Sequence, residues 1–434
     1  MRLALDFCAF VWYDIEKWVG MPYRLIRSDT EVIVTMTDFQ KEILSLVNAA
    51  LRETEPTGVD LKRLQQIFHF AEVQQMVGTL YYGLMGVPGF MEHPENERFM
   101  SRYCGYLGHD ASQMEALESI FAAFEKEGIT YMPLKGTVLK GLYPCFEMRT
   151  MGDADILIRP EEYKRVTAVM RRLGCEFEGE SDHEYNWRTA DGHHIELHKH
   201  LIPSYNKDYY AYYGDGWQLA RPCEGSQYRH EMRPEDTFIY LFTHFAKHYR
   251  DQGVGMKYVV DFYVFKEYYP NLNWRYVEAE LEKLMLSEFY LNVMYMVSVW
   301  FEGAPATELS DFMTEKIFSF GVFGNSELNA LSEGVKLSKD GGSAKSKKKW
   351  QMFFPPYATM CLLYPVLKNW AILLPLFWLV RLVDRALHHR DRYRSGMAKL
   401  ETMSEENIRQ YQQELNYVGL DYHFGKEDPP PKGE

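Results

Sequence analysis

The chain has 434 residues, enough for two or three domains, and its 46% hydrophobic content supports ordinary globular cores. A formal charge of −13 argues against broad, nonspecific binding of long nucleic acid, which needs basic surface to release counterions; a local basic groove stays open. Cys8, Cys104, Cys145, Cys175, Cys223 and Cys361 are scattered with no Cys-x-x-Cys, which reads as reduced thiols in a cytoplasmic protein, not a disulfide framework or zinc cluster.

Residues 1–35 are rich in aromatics and lack the basic start, long apolar core and small-residue cleavage site of a signal peptide. Met36-Thr37-Asp38 looks like a natural start, with Thr37 or Asp38 as a helix N-cap. The hypothesis is that translation begins at Met36 and that residues 1–35 are an over-called extension, with Met1 as the alternative. Residues 36–128 read as an N-terminal helical region. Ala111, Met114, Leu117, Ile120, Phe121 and Phe124 make one apolar stripe, ended by Glu127-Gly128.

A core over residues 129–203 follows. A strand through Ile129–Met132 breaks at the Lys135-Gly136 turn, and a second strand through Asp155 and Ile156–Ile158 is closed by Arg159-Pro160. Residues 161–173 form a helix with Tyr163, Val166, Met170 and Leu173 on one side, stopped by Gly174. Strand-like segments near 175–178, 184–189 and 193–198 complete a small mixed sheet.

Residues 204–334 read as a helical substrate-side region rich in Tyr and Phe, and residues 335–349, ending in Lys345-Ser-Lys-Lys-Lys349, as a basic flexible linker. Residues 350–434 form a C-terminal helical segment with a disordered tail. Its uncharged runs, Trp350–Leu367 and Asn369–Val380, are too broken by Pro355, Pro356 and Pro365 to span a bilayer. They are expected to dock on the protein body. The second choice is a membrane-surface contact by residues 350–394, aided by Arg381, Arg385, Arg390, Arg392 and Arg394. The fold class is therefore α+β, a small mixed β-sheet core flanked by N- and C-terminal helical regions.

Asp153 and Asp155 are two apart on a strand and share a face. Glu196 lies in a strand 41 residues after Asp155, with Ile195 and Leu197 on the opposite face. If the strands are neighbours, three carboxylates converge, and these do not all stay ionised cheaply without a cation. Oxygen ligation favours Mg²⁺ or Mn²⁺, and the natural use is metal-assisted phosphoryl or nucleotidyl transfer. On residues alone the bland reading, a turn cap and a solvated glutamate, weighs equally.

Lys135 and Arg149 are candidates to hold a triphosphate, Arg149 by a bidentate fork, and Gly136 allows close backbone approach to phosphate. Surface exposure of Lys135 and pairing of Arg149 with a structural carboxylate are the alternatives. His193, His194, His198 and His200 cluster beside Glu196, and His198 shares its face. His244 and His248 have i, i+4 spacing but no Glu follows His244, so core packing is favoured over zinc. Lys257 and Asp261 read as an i, i+4 helix pair.

The order Leu134-Lys135-Gly136, Arg149-x-Met-Gly-Asp153-x-Asp155, Glu196-Leu-His198 resembles a family of uncharacterised bacterial nucleotidyltransferases in the DNA-polymerase-β-like superfamily. Leu241-Phe-Thr-His244-Phe-Ala-Lys-His248, Gly255-Met-Lys257-Tyr-Val-Val-Asp261, Phe354-Pro-Pro-Tyr-x-x-Met360 and Leu373-Leu-Pro-x-x-Trp378-x-x-Arg381 extend the resemblance over roughly residues 36–390. One departure is Lys135-Gly136 where the wider superfamily usually has Gly-Ser. The resemblance implies that Asp153, Asp155 and Glu196 bind Mg²⁺ or Mn²⁺. It also implies transfer of an NMP group from an NTP to a hydroxyl of an unknown acceptor, small molecule or protein, with release of pyrophosphate. His198, His244, Lys257 and Asp261 are then weaker substrate-side candidates. The competing readings are a catalytically silent nucleotide-binding or interaction module and, third, a zinc hydrolase using the histidines.

Overall fold

The computed structural model describes residues 35–321, 324–339, 343–388 and 400–422. The hypothesis of a start at Met36 and the disordered-tail expectation therefore fall mostly outside the described residues. The chain divides into two compact units. The larger takes in residues 33–247 and 254–322; the smaller takes in 248–253 and 323–422.

The larger unit starts with α1 (Asp38–Arg52), capped by Thr37 in a capping box with Gln40. A long helix, α2 (Glu95–Glu127), carries the predicted stripe and ends on Gly128 in the left-handed region, φ 67°. Leu117, Ile120 and Phe124 of that stripe are buried. The sheet follows: β1 (Tyr131–Pro133), β2 (Asp153–Ile158), β3 (Glu176–Glu180), β4 (Glu184–Arg188) and β5 (His194–His198), in the order β1-β2-β5-β4-β3. A short helix, α3 (Gly136–Leu139), separates β1 from β2, and α4 (Tyr163–Arg172) separates β2 from β3.

The β2–β5 pair is parallel and its neighbours β1 and β4 are antiparallel, so the sheet is mixed, as expected. A parallel pair needs a crossover, and here α4 with the β3–β4 hairpin supplies it. One face of the sheet packs Ala154, Ile156, Ile158, Trp187, Ile195 and Leu197 against the α2 stripe and against Val166, Val169 and Met170 of α4. Each fully buried aliphatic there contributes about 1.5–3 kcal/mol. Because side chains alternate along a strand, that packing commits Asp153, Asp155, His194, Glu196 and His198 to the other face.

Beyond the sheet the sequence reading needs correction at two places. The 204–334 region is not helical throughout: Ala220–Pro222 and His230–Met232 form a two-stranded hairpin, β6–β7. Tyr131 meets this hairpin in a parallel bridge with Arg229, its N–H donating to the Tyr228 carbonyl. The helices α5 (Pro234–Asp251) and α6 (Met256–Tyr268) follow. The expected linker over 335–349 is helical at both ends, in α7 (Ser326–Lys339) and α8 (Ala344–Phe353). Ala and Lys are strong helix formers, so low apolar content alone did not make that stretch irregular.

In the smaller unit, α9 (Tyr357–Leu363), α10 (Leu374–His388) and α11 (Glu405–Tyr417) follow. No helix among the described residues is long and apolar enough to cross a membrane. Cys104, Cys145, Cys175, Cys223 and Cys361 are free thiols.

Candidate active site

In the parallel β2–β5 ladder Asp155 lies opposite Glu196, Asp153 opposite His194 and Leu157 opposite His198. Lys135 Nζ donates to Asp155 Oδ1 at 2.6 Å, and His198 Nε2 lies 2.8 Å from the same oxygen. His198 Nε2 is also 3.5 Å from Glu196 Oε2. The atoms that converge are therefore from Asp155, Glu196 and His198, one donor of each within 4.8 Å of the others. Asp153 stands apart from that trio, at the exposed start of β2. The sequence expectation of three converging carboxylates is modified accordingly: two carboxylates and an imidazole meet, with the third carboxylate at the mouth.

The electrostatics are those of a crowded anionic cleft. Burial alone raises Asp155, but Lys135 and His198 outweigh it and hold the carboxyl well below the usual carboxylate range. Glu196 is pushed up, by burial and then by the charges of Asp155 and Asp153. Protein packed around the Asp153 carboxyl strips part of its hydration, and the Asp155 charge adds to this, so it too is raised. Lys135 is buried, which opposes its charge, yet Asp155, Glu196 and Asp153 around it keep the ammonium strongly protonated. His198 is raised because its bonds to Asp155 and Glu196 overcome burial. With Nε2 facing two carboxylates, the proton belongs on that nitrogen. The other nitrogen, Nδ1, is buried with no partner among the described residues.

This donor set fits a divalent cation. Asp153, Asp155 and Glu196 bring three carboxylates to one face of the sheet, and Lys135 is the ammonium bonded to them there, through Asp155. Asp155 and Glu196 offer oxygen ligands, and His198 would join them as a nitrogen donor only on giving up its Nε2 proton. A second group of His183, Glu184 and His198 meets the same distance limit. Glu184 pairs with His198 across β4–β5, and His183 Nε2 lies 2.9 Å from its Oε2. The sequence reading missed His183 and Glu184; the alternation Glu184, Asn186, Arg188 was the signal for Glu184, while His183 precedes the strand.

Lys135 adopts φ 45°, ψ −116°, a conformation that only glycine reaches cheaply. That turn aims its ammonium back at Asp155. Gly136 follows, and a Cβ there would lie 2.9 Å from Met151 Cγ, so a larger residue would require the Met151 side chain to shift.

Arg149 is placed differently from its expected use. Its Nε and Nη2 bond Asp261 Oδ1 and Oδ2 at 2.7 and 2.9 Å, and Nη1 donates to the Thr150 carbonyl. Tyr143 donates to the same Asp261 carboxylate. All three side chains are buried, and the fork that was expected to face a triphosphate is committed to this pair. Asp261 in turn is not the helix partner of Lys257. The Lys257 ammonium reaches Gln75 Oε1 at 3.1 Å and the Thr150 carbonyl at 3.4 Å. Burial first, and then the nearby Arg149 charge, push Lys257 down to about 7.

His244 is buried on α5, between the rings of Tyr240 and Tyr258. His193 binds Ser112 and His194 pairs with Glu178, so the four histidines around Glu196 do not act as one cluster. Tyr240 is a residue the sequence reading did not single out. It is fully buried, its hydroxyl has no partner among the described residues, and it feels the charges of Lys135, Asp155 and Glu196. Its place one turn before His244 on the same helix was the available signal.

A family profile described as an uncharacterised nucleotidyltransferase matches residues 61–302, more than half of the chain. The chain belongs to this uncharacterised nucleotidyltransferase family. Among curated proteins no relative matches. One solved structure similar to this nucleotidyltransferase-family chain is that of the antibiotic-resistance factor ANT(2'')-Ia, a solution structure. It is 14% identical over 39% of this chain and 89% of that one, with a TM-score of 0.30, too low to carry an argument.

Proposed function

We propose that this family member transfers an NMP group from an NTP to a hydroxyl acceptor, with Asp153, Asp155 and Glu196 as its catalytic carboxylates. The observation that carries the reading is the in-register pair Asp155–Glu196, with Asp153 two residues up the same strand face. Asp155 and Glu196 would hold a Mg²⁺ or Mn²⁺ ion, with Asp153 reaching in from the mouth. Such an ion supplies charge neutralisation to the phosphates and to the attacking oxygen.

The chain's own groups do the rest. Lys135 counters the phosphate charge from the glycine-lined turn. Glu196, with its raised pKa, is the base that takes the proton of the acceptor hydroxyl. The hydroxyl oxygen then bonds to the α-phosphorus as the bond to the β-phosphate breaks and pyrophosphate leaves. Arg149, through Asp261, fixes the loop that leads into β2. Tyr258, partly exposed on α6, offers its ring to an acceptor with a ring of its own. The free thiols accord with a cytoplasmic location.

A second reading has its own support: Lys135 and His198 satisfy Asp155 Oδ1 without any metal, as they would in a silent nucleotide-binding module. Calorimetric titration with each NTP, with and without Mg²⁺, on wild type and Asp153→Asn/Asp155→Asn separates the two. Transfer requires Mg²⁺-dependent binding that the double variant loses, followed by pyrophosphate release in an acceptor screen. Mg²⁺-independent binding favours the silent module, and no NTP binding by folded wild type sinks both.

A further inference from the structure

The smaller unit turns apolar surface outward. Among the described residues, ten of the twenty-one exposed large hydrophobic side chains fall within residues 350–383. On α10, Leu374, Phe377 and Trp378 pack inward on Met360, Cys361 and Leu367. Trp378 Nε1 also donates to the Pro355 carbonyl. The opposite stripe, Leu376, Leu379, Val380 and Val383, recurs at helical spacing and is 54, 61, 45 and 58% exposed. Just before it, Trp370 is 61% and Ile372 84% exposed. A helix apolar on both sides normally lies inside a protein or a bilayer. At 15 residues α10 is about 22 Å long, short of a span.

Charge gives a second, independent observation. Residues 341–383 contain no acidic residue, and carry Lys345, Lys347, Lys348, Lys349, Lys368 and Arg381, in a chain whose net charge is −13. Lys345, Lys349 and Lys368 are exposed, next to the exposed Trp350 and Trp370. Arg381 is not part of the basic surface: it is buried and donates to the Met352 carbonyl. Aliphatic stripe, tryptophans and lysines with no acid between them match the layers of an anionic membrane surface: acyl chains, interface and headgroups. A second copy of this face would bring like charges together.

We infer that residues 345–383 dock the protein on an anionic lipid surface, α10 lying in the interface with Leu376, Leu379, Val380 and Val383 in the acyl layer. The sequence reading ranked this contact second, because it could not tell which side of the apolar run faced the protein.

The experiment is co-sedimentation of the full-length protein with phosphatidylcholine vesicles, with and without phosphatidylserine. Wild type is expected to pellet with the phosphatidylserine vesicles and to be partly released by salt. Leu376→Gln/Leu379→Gln/Val383→Gln is expected to lose binding by roughly tenfold or more with an unchanged melting temperature. Lys345→Gln/Lys349→Gln is expected to lose roughly tenfold of the preference for phosphatidylserine. Wild type remaining in the supernatant, or a triple variant that pellets like wild type, overturns the proposal. So does a wild type that is dimeric in light scattering and ignores vesicles while the triple variant is monomeric, since the face would then belong to a second copy.

Discussion

The cleft face of the β-sheet and the outer face of α10 invert the usual order of a globular protein in opposite ways. In and beside the cleft, Asp155, His198, Arg149 and Asp261 are charged or polar and buried, and Lys135 is only 17% exposed at its side chain. On α10, aliphatic side chains are held in water. Both arrangements cost free energy on folding. The first is offset inside the molecule, because each of these charges has an opposite partner within hydrogen-bond reach. The second has no partner among the described residues, and the proposed lipid surface is what would compensate it. On the readings proposed above, the internal mismatch serves chemistry and the external one serves docking.

The sharpest way to break that comparison is Asp155→Asn. If the cleft charges serve chemistry, this variant loses roughly a thousandfold in turnover, about 4 kcal/mol of transition-state stabilisation, in a pyrophosphate-release assay. Its urea midpoint then shows whether the loss came from unfolding instead. Next is Arg149→Met, which strands Asp261 beside Tyr143. Breaking one half of a buried pair costs about 3–5 kcal/mol in denaturant unfolding, and Arg149→Met/Asp261→Leu is expected to recover part of it.

Lys257 gives a smaller, pH-resolved effect. Its pKa in the folded protein, about 7, lies below the ordinary lysine value. The native state therefore releases this proton before the unfolded chain does, and the penalty is fully present below about pH 7. Unfolding at several pH values should show wild type gaining on Lys257→Met by about 1.4 kcal/mol per pH unit above that point. The smallest effect is expected on α10. Each of Leu376→Gln, Leu379→Gln and Val383→Gln should change stability by no more than about 0.5 kcal/mol, in contrast to the cleft.

What the sequence made legible was local or periodic. The stripe ending at Phe124, the shared face of Asp153 and Asp155, and the position of Glu196 between Ile195 and Leu197 all follow from repeats of a few residues. What it concealed was pairing over long separations. Arg149 meets Asp261 across 112 positions, so nothing near either residue tells a phosphate ligand from half of a buried ion pair. Lys257 read as the partner of Asp261 because spacing exposes only the helix neighbour. The β6–β7 strands are three residues each, too short to show alternation within a region rich in helix signals. The lysines of 345–349 looked like solvated linker because composition carries no information on which face of a helix they occupy.

The turn at Lys135 has an evolutionary consequence. A side chain with a Cβ is kept at φ 45°, in a region whose occupation costs about 1–3 kcal/mol. Exchanging that lysine for glycine would relieve the strain, but it would also take the ammonium away from Asp155, whose carboxyl oxygen lies 2.6 Å from it. Selection at position 135 therefore acts on two opposed local preferences, the backbone's for glycine and the facing carboxylate's for a cation.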